Sequence, residues 1–356
     1  MPGMDELARR VGLRLERTLA SKQFADGAFR NPTGARPELQ GSALPLLGEY
    51  FFGNAQRVPP GPLPVERPHE AWARPAETGL RATWLGHSTV LLELDRHRVL
   101  TDPVFAERAS PFRFAGPRRF HPVPATLDEL PPLDAVLLSH DHYDHLCRTT
   151  MQRLARKRVP IVTALGVGAH LERFGVRPDL IRELDWHESV EIGGLRFTAT
   201  PAQHFSGRGV HDRNRTLWAS WVVQSPRRKL FFSGDTGLTP QLAEVGRAHG
   251  PFNLVLLEIG AFHPSWGTIH LGPENALAAF AMLGGGTLLP VHWGTFNLGL
   301  HAWDEPGETL VSLAAAAGRR VLTPRLGAAF EPERVDGPMP WWREVVPSPA
   351  PSLCRA

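Results

Sequence analysis

An apolar run that ends in four potential metal ligands is the feature of this chain that leaves the fewest folds open. Residues 134–139 (DAVLLS) read as a fully buried strand, and His140-Asp141-His142-Tyr143-Asp144-His145 follows at once, ahead of a helical segment, CRTTMQRLARK. The six residues therefore project from the carboxyl end of a strand. Neutral imidazoles and a carboxylate suit zinc and similar borderline metals. Four such groups within six residues cannot easily all face one ion, whereas a turn can direct two to one ion and two to another. The bland alternative is a polar surface loop that happens to be rich in histidine.

Three further apolar runs end in the same way. LRFTATPAQH places His204 at a strand end, LFFSGDTG sets Asp235 between glycines that let the backbone turn sharply, and TLLPVHWG puts His292 after a buried strand. Taken singly, each is more often a cap, a turn residue or a satisfied core group. Jointly they point to a site, because ligands on one end of a sheet converge in space even when distant in sequence.

With 356 residues, 42% of them hydrophobic and 21% charged, the chain has ample material for a core. The net charge of +3, from 39 basic and 36 acidic residues, argues against a polyelectrolyte partner for nucleic acid. Basic residues cluster locally at Arg118 and Arg119 and across Arg208, Arg213 and Arg215, either as solvated loop arginines or as a patch for a phosphate or other anion. Two cysteines, Cys147 and Cys354, make no disulfide framework and fit a reducing compartment. The amino terminus has no apolar signal region and no stretch of eighteen apolar residues occurs, so the expected location is cytoplasmic. Residues 5–20 form an amphipathic helix with Leu7, Val11, Leu15 and Leu19 at spacing four. We expect that stripe to pack on the domain, with a membrane-surface role as the lesser alternative.

Three segments are expected. Residues 1–79 make a helix and an extended arm rich in Pro, Gly and Arg, packed on the domain and anchored by Tyr50, Phe51 and Phe52; residues 80–330 make the catalytic domain; residues 331–356 make an irregular tail. The loop at residues 103–132 is too long for a simple connection, which marks it as functional. Early strands, a mixed middle and late alternating units give an α/β or α+β layered fold.

At this point the chain resembles a known group. HxHxDH followed by His, Asp and His at strand ends is similar to the metallo-β-lactamase superfamily. WLGHSTVLLELD, LLSHDHYDHL, TPAQHFSGR, FFSGDTG and VHWGTF resemble its N-acyl-phosphatidylethanolamine phospholipase D branch and bacterial relatives, across residues 80–297. The resemblance implies a four-layer αββα sandwich and two zinc ions per chain, other divalent metals being open. It implies that His140, His142 and His204 hold one ion, that Asp144, His145 and His292 hold the other, and that Asp235 bridges them. Two such ions, about 3.5–4 Å apart, share a hydroxide that attacks a phosphodiester. Catalytic roles fall to Asp235, Asp144 and His270, which in TIHLGPENA is either a support behind the metal ligands, a contact to the substrate phosphate, or the flank of the following helix. His87 in WLGHST is read as a buried histidine bonded near the metal loop rather than a ligand. Asp141 orients an imidazole or stays solvated. Of Trp266, Trp293 and Phe296, at least one is expected to line the pocket.

The function this implies is a phospholipase D-like phosphodiesterase acting on a small molecule or phospholipid, with peripheral membrane contact open and no specific nucleic acid partner. A lactonase or other carboxyl-ester hydrolase on the same centre is the first alternative. A di-iron redox protein generally has a carboxylate at the third position of the hexad, where this chain has His142. A non-catalytic zinc protein fits poorly with a complete ligand set.

Overall fold

The computed structural model describes residues 4–36 and 43–347. Two sheets form its centre. Seven strands lie in the order Ala329–Phe330, Leu80–Gly86, Thr89–Leu94, His97–Thr101, Ala135–Leu137, Ile161–Ala164 and Ile181–Leu184. Six lie in the order Leu288–Val291, Leu254–Glu258, Lys229–Phe232, Ser220–Gln224, Leu195–Thr200 and Ser189–Ile192. Leu80–Gly86, Thr89–Leu94 and Leu254–Glu258 are buried along their whole length, so each sheet is covered on both faces. Helix Gly272–Met282 packs on strand Leu254–Glu258 and against helices Gln241–His249 and Glu305–Ala316; helix Gly168–Arg173 packs on strand Ile181–Leu184. The layers run αββα.

Strand direction is what gathers the site. Leu80–Gly86 and His97–Thr101 both run antiparallel to Thr89–Leu94, hence parallel in direction to each other, and Ala135–Leu137 is parallel to His97–Thr101. In the second sheet Lys229–Phe232, Leu254–Glu258 and Leu288–Val291 are mutually parallel, and Leu195–Thr200 shares their direction across the antiparallel strand Ser220–Gln224. Within each sheet the carboxyl ends of these strands therefore share an edge. The residues that follow them are His87, Asp102, His140, His204, Asp235 and His292. In α/β proteins that edge is where sites are built.

Short-range chemistry sets the connections. Asp95 and Arg96 both have positive φ, 46° and 76°, which makes the two-residue turn between Thr89–Leu94 and His97–Thr101 a twisted hairpin turn. Gly234 has φ 54°, and a Cβ there would sit 2.4 Å from Ser139 Cβ, so only glycine lets the chain swing Asp235 toward the hexad.

Two expectations about the ends of the chain need revision. Helix Met4–Ala20 turns Val11, Leu15 and Leu19 to solvent, at 53%, 55% and 62% exposure, instead of packing them. Arg14 holds the helix down, bonding Glu172 at 2.6 Å and Glu183 at 2.7 Å, and Arg17 adds Glu188. Two partly buried ion pairs thus fix the helix face against the domain, and the leucines are left on the outside. Leu7, Tyr50 and Phe51 lie outside the residues whose side chains are described, and Phe52 is 85% exposed. At the other end, residues 332–334 and 341–344 form short 3-10 turns, and Trp341 and Trp342 are buried in the core. Trp341 meets Trp293 at 5.6 Å and Trp84 at 6.3 Å between ring centroids, and Trp84 stacks on Trp293 at 5.5 Å. This cluster joins the two sheets beside the site. Trp341→Ala is expected to lower folding stability by about 3–5 kcal/mol, read as a shifted denaturation midpoint by circular dichroism.

Candidate metal centre

His140, His142, His204 and Asp235 offer ligand atoms that all lie within 4.8 Å of one another. The imidazole nitrogens converge: His140 Nε2 is 2.8 Å from His142 Nδ1, which is 3.3 Å from His204 Nε2. Two nitrogens bound tetrahedrally to one zinc at about 2.0–2.1 Å stand about 3.3 Å apart, so this crowding is what shared coordination requires. Asp235 Oδ2 lies 3.6 Å from His204 Nε2 and 3.9 Å from His140 Nε2.

A second group abuts the first. Asp144 Oδ2 is 3.4 Å from His145 Nε2 and 3.3 Å from His292 Nε2, while Asp235 Oδ1 is 3.2 Å from His145 Nε2 and Oδ2 is 3.1 Å from His292 Nε2. Asp235 thus touches both groups with its two oxygens. His87 belongs to the second group in space, with Nε2 2.9 Å from Asp144 Oδ2 and its ring 4.0 Å from that of His292. It is the histidine bonded to the metal loop that the motif WLGHST points to. His87 and His292 hold φ of 53° and 65°, a conformation that costs non-glycine residues of order 1–3 kcal/mol and is kept where the surroundings require it.

The groups present fit a divalent metal. His145 Nε2 and Asp235 Oδ1 are buried without a hydrogen-bond partner, an arrangement that is costly unless an ion completes it. Burial, together with the neighbouring imidazoles, drives the pKa of His140 well below its ordinary value, and burial does the same to His204 despite Asp235. Both imidazoles are neutral, the form in which a histidine can bind a metal. Burial would raise Asp144 and Asp235, but the nearby histidines, His145 foremost, hold both carboxyls well below the usual range. The two carboxylates are ionised. Imidazole and carboxylate together select zinc or a similar ion over the hard oxygen-only cations.

Behind these groups stands a layer of residues that the motifs did not single out. Asp102, fully buried at the end of strand His97–Thr101, accepts bonds from Ser139 N at 2.7 Å, Ser139 Oγ at 2.6 Å and His145 Nδ1 at 2.7 Å. Ser139 Oγ in turn sits 2.9 Å from His140 Nδ1. One carboxylate thereby orients histidines of both groups. His204 Nδ1 donates to the Ile269 carbonyl at 3.0 Å. Glu258, buried at the end of strand Leu254–Glu258, lies 3.1 Å from His270 Nδ1 through either oxygen. Burial lowers the His270 pKa, but the Glu258 carboxylate outweighs it and raises the result above the ordinary value. Asp102 and Glu258 carry the signal that marks His204 or Asp235, a charged residue ending an apolar strand, without a neighbouring motif to raise it above a turn cap.

His270 comes within reach of the centre, grouping with Asp235 and His292, while Nδ1 stays on Glu258 and leaves Nε2 free. His270→Ala is expected to reduce turnover by about 10–100-fold with metal content unchanged by elemental analysis; loss of metal would make it a ligand. Asp141 is buried and serves the fold, its carboxylate accepting Gly207 N at 2.8 Å and Thr216 Oγ1 at 3.0 Å, with His170 at 3.3 Å. Cys147 is free and buried, and Cys354 lies outside the described residues.

Trp293 and Phe296 line the small pocket that reaches His292, whereas Trp266 lies against His263. The segment 105–123 borders a cavity of 1080 Å³ whose walls include Val58, Phe105, Phe120 and Val123. Phe120 and Asn297 border both spaces, so the larger cavity adjoins the one at His292. Among the described residues no helix is long and apolar enough to cross a membrane.

Residues 97–293 match the Beta-lactamase superfamily domain, more than half of the chain and nearly the whole site. The chain belongs to the metallo-β-lactamase superfamily. It is a metal-dependent hydrolase of that superfamily, with the His and Asp clusters in place to bind metal. An uncharacterized protein of Mycobacterium tuberculosis is 44% identical over 336 residues, 91% of this chain and 88% of its own length. The N-acyl-phosphatidylethanolamine-hydrolyzing phospholipase D 1 of Caenorhabditis elegans is 38% identical over 311 residues, 81% of this chain and 86% of its own. Among solved superfamily-like folds, an isothiocyanate hydrolase from Delia radicum gut bacteria superposes with a TM-score of 0.56 at 23% identity, covering 70% of this chain and 98% of that one.

Proposed function

We propose that this chain is a binuclear zinc phosphodiesterase of phospholipase D type. In this reading His140, His142 and His204 serve one ion, Asp144, His145 and His292 the other, and Asp235 bridges them. The observation that carries the reading is the shared carboxylate: Asp235 lies within 3.1–3.9 Å of imidazoles from both groups, through two different oxygens. When bound, two such ions supply a nucleophile at neutral pH and a Lewis-acid clamp for the attacked and leaving oxygens. The remaining work belongs to the chain. Asp102 and the Ile269 carbonyl fix the tautomers of His145 and His204, so that each presents Nε2 to the centre. His270, whose Nδ1 lies 3.1 Å from Glu258, has its pKa raised by that carboxylate against burial, which favours a proton at Nε2 for a phosphoryl oxygen to accept. Val58, Phe105, Phe120 and Val123 give the mixed wall of the 1080 Å³ cavity apolar surface for a lipid-like portion of the substrate, in keeping with the phospholipid hydrolysis for which the Caenorhabditis elegans relative is named.

The test is a substrate panel on zinc-loaded protein: bis(p-nitrophenyl) phosphate, N-acyl-phosphatidylethanolamine in mixed micelles, and a series of lactones. Turnover of both phosphodiesters, lost on chelation and restored by zinc, is the expected result. Clear lactone turnover with no phosphodiester cleavage would replace this reading with a carboxyl-ester hydrolase on the same centre.

A further inference from the structure

A second space borders the hexad loop at Tyr143. A cavity of 710 Å³ opens between segment 106–113, the hexad at Tyr143 and helix Gly168–Arg173, and its walls carry Arg108, Arg113, Arg148, Arg173 and Arg208. Two of these are spent on the protein. Arg208 donates to the carbonyls of Asp141 and Leu146 and lies over the Tyr143 ring at 4.0 Å, and Arg108 donates to the Gly116 carbonyl at 2.6 Å. Among the described residues, Arg113, Arg148 and Arg173 have no carboxylate partner; Arg148 has only the Phe174 ring, at 6.0 Å.

The cavity's own acids are already engaged. Glu107 pairs with Arg118 at 2.6 Å, and Asp212 Oδ1 accepts the amides of Arg208 and Gly209. Three guanidiniums thus line a common concave space with no carboxylate bound to any of them, and the five arginines of its walls outnumber its two acids, Glu107 and Asp212. Guanidinium forks recognise phosphate and carboxylate in two-pronged fashion, and a concave surface of one sign concentrates the opposite charge. Arg208 and Tyr143 tie this space directly to the hexad, because Tyr143 stands between His142 and Asp144 and donates from its hydroxyl to the Arg208 carbonyl at 2.7 Å.

We propose that this cleft holds a second anionic group, a phosphate or carboxylate, on the same ligand whose ester occupies the metal centre. The inference rests on the phosphodiesterase reading and refines it: the preferred substrate carries a negative charge beyond the scissile phosphate. A singly charged diester would fill the metal centre and leave the arginine cleft unused.

The experiment is calorimetric binding to zinc-loaded protein of α,ω-alkanediol bisphosphates from three to eight carbons, against the matching alkyl monophosphates. The ω-carboxyalkyl phosphates of the same lengths show which anion the cleft prefers. At one chain length the bisphosphate, with its second anionic head, is expected to bind at least about tenfold more tightly than the monophosphate. Arg113→Ala combined with Arg173→Ala should remove that advantage while monophosphate affinity holds. Both side chains are exposed, so the double variant should fold; Arg148→Ala provides an independent check on the same advantage. If no length shows an advantage, or if the double variant keeps it, the cleft assignment is overturned. An advantage seen in binding without phosphodiester turnover would retain the cleft and reject the phosphodiesterase, so the two failures are distinguishable.

Discussion

Asp235→Asn is expected to abolish hydrolysis while leaving a folded protein. On bis(p-nitrophenyl) phosphate, kcat/KM should fall by at least about a thousandfold, because an amide supplies one neutral oxygen where the carboxylate supplied two charged ones. The physical reason is local. Asp235 is the group that lies against imidazoles of both clusters, and its ionisation is maintained against burial by His145 and His292. The asparagine NH₂ would stand where a charged oxygen stood, and an amide nitrogen has no lone pair free to bind a cation. Metal content by elemental analysis should fall with activity; on the proposed binuclear reading it drops from two ions per chain to one or fewer. Circular dichroism should be unchanged, since Asp235 lies beyond the end of strand Lys229–Phe232, outside the ladders of both sheets. Near-normal turnover in this variant would refute the shared-ligand reading, whatever the metal content.

How far the amino-acid sequence revealed this arrangement depends on which residue one asks about. The hexad, His204, Asp235 and His292 could be found because each stands where an apolar strand stops, and a polar group at that place has either a ligand or a turn to serve. Strand direction, which no local pattern states, then decided that they meet. Asp102 and Glu258 also end apolar strands, yet a lone acid there has the local look of a turn cap; only the fold brings Ser139, His145 and His270 to them. The helix Met4–Ala20 went astray for a related reason. A stripe of leucines at spacing four is an accurate measure of amphipathicity but says nothing about which side faces the domain. Glu172, Glu183 and Glu188 are far away in sequence, and their carboxylates, meeting Arg14 and Arg17, decide the orientation. Trp341 shows the same limit, since a proline-rich tail gives no periodicity to read, and its burial is set by Trp84 and Trp293.

Asp102 offers the second large effect, and it separates support of the metals from direct contact with them. Replacing it with alanine strands three buried donors, Ser139 N, Ser139 Oγ and His145 Nδ1, each costing about 1–3 kcal/mol when left unpaired. Because the bonds share one acceptor the losses will not add fully, and a total near 3–5 kcal/mol is expected in chemical denaturation of the metal-free protein. Asp102→Asn keeps the shape and one oxygen, so it should recover part of that stability. It should not recover the metal. With an amide in place of the carboxylate, His145 loses the acceptor that fixes its proton at Nδ1, and its Nε2 is no longer held toward Asp144 and Asp235. Zinc affinity, measured by competition with a chromophoric chelator, should therefore fall by about 10–100-fold in both variants. If Asp102 matters only for folding, the asparagine variant will bind zinc like the wild type; if it orients the ligand, stability and affinity will part company between the two substitutions.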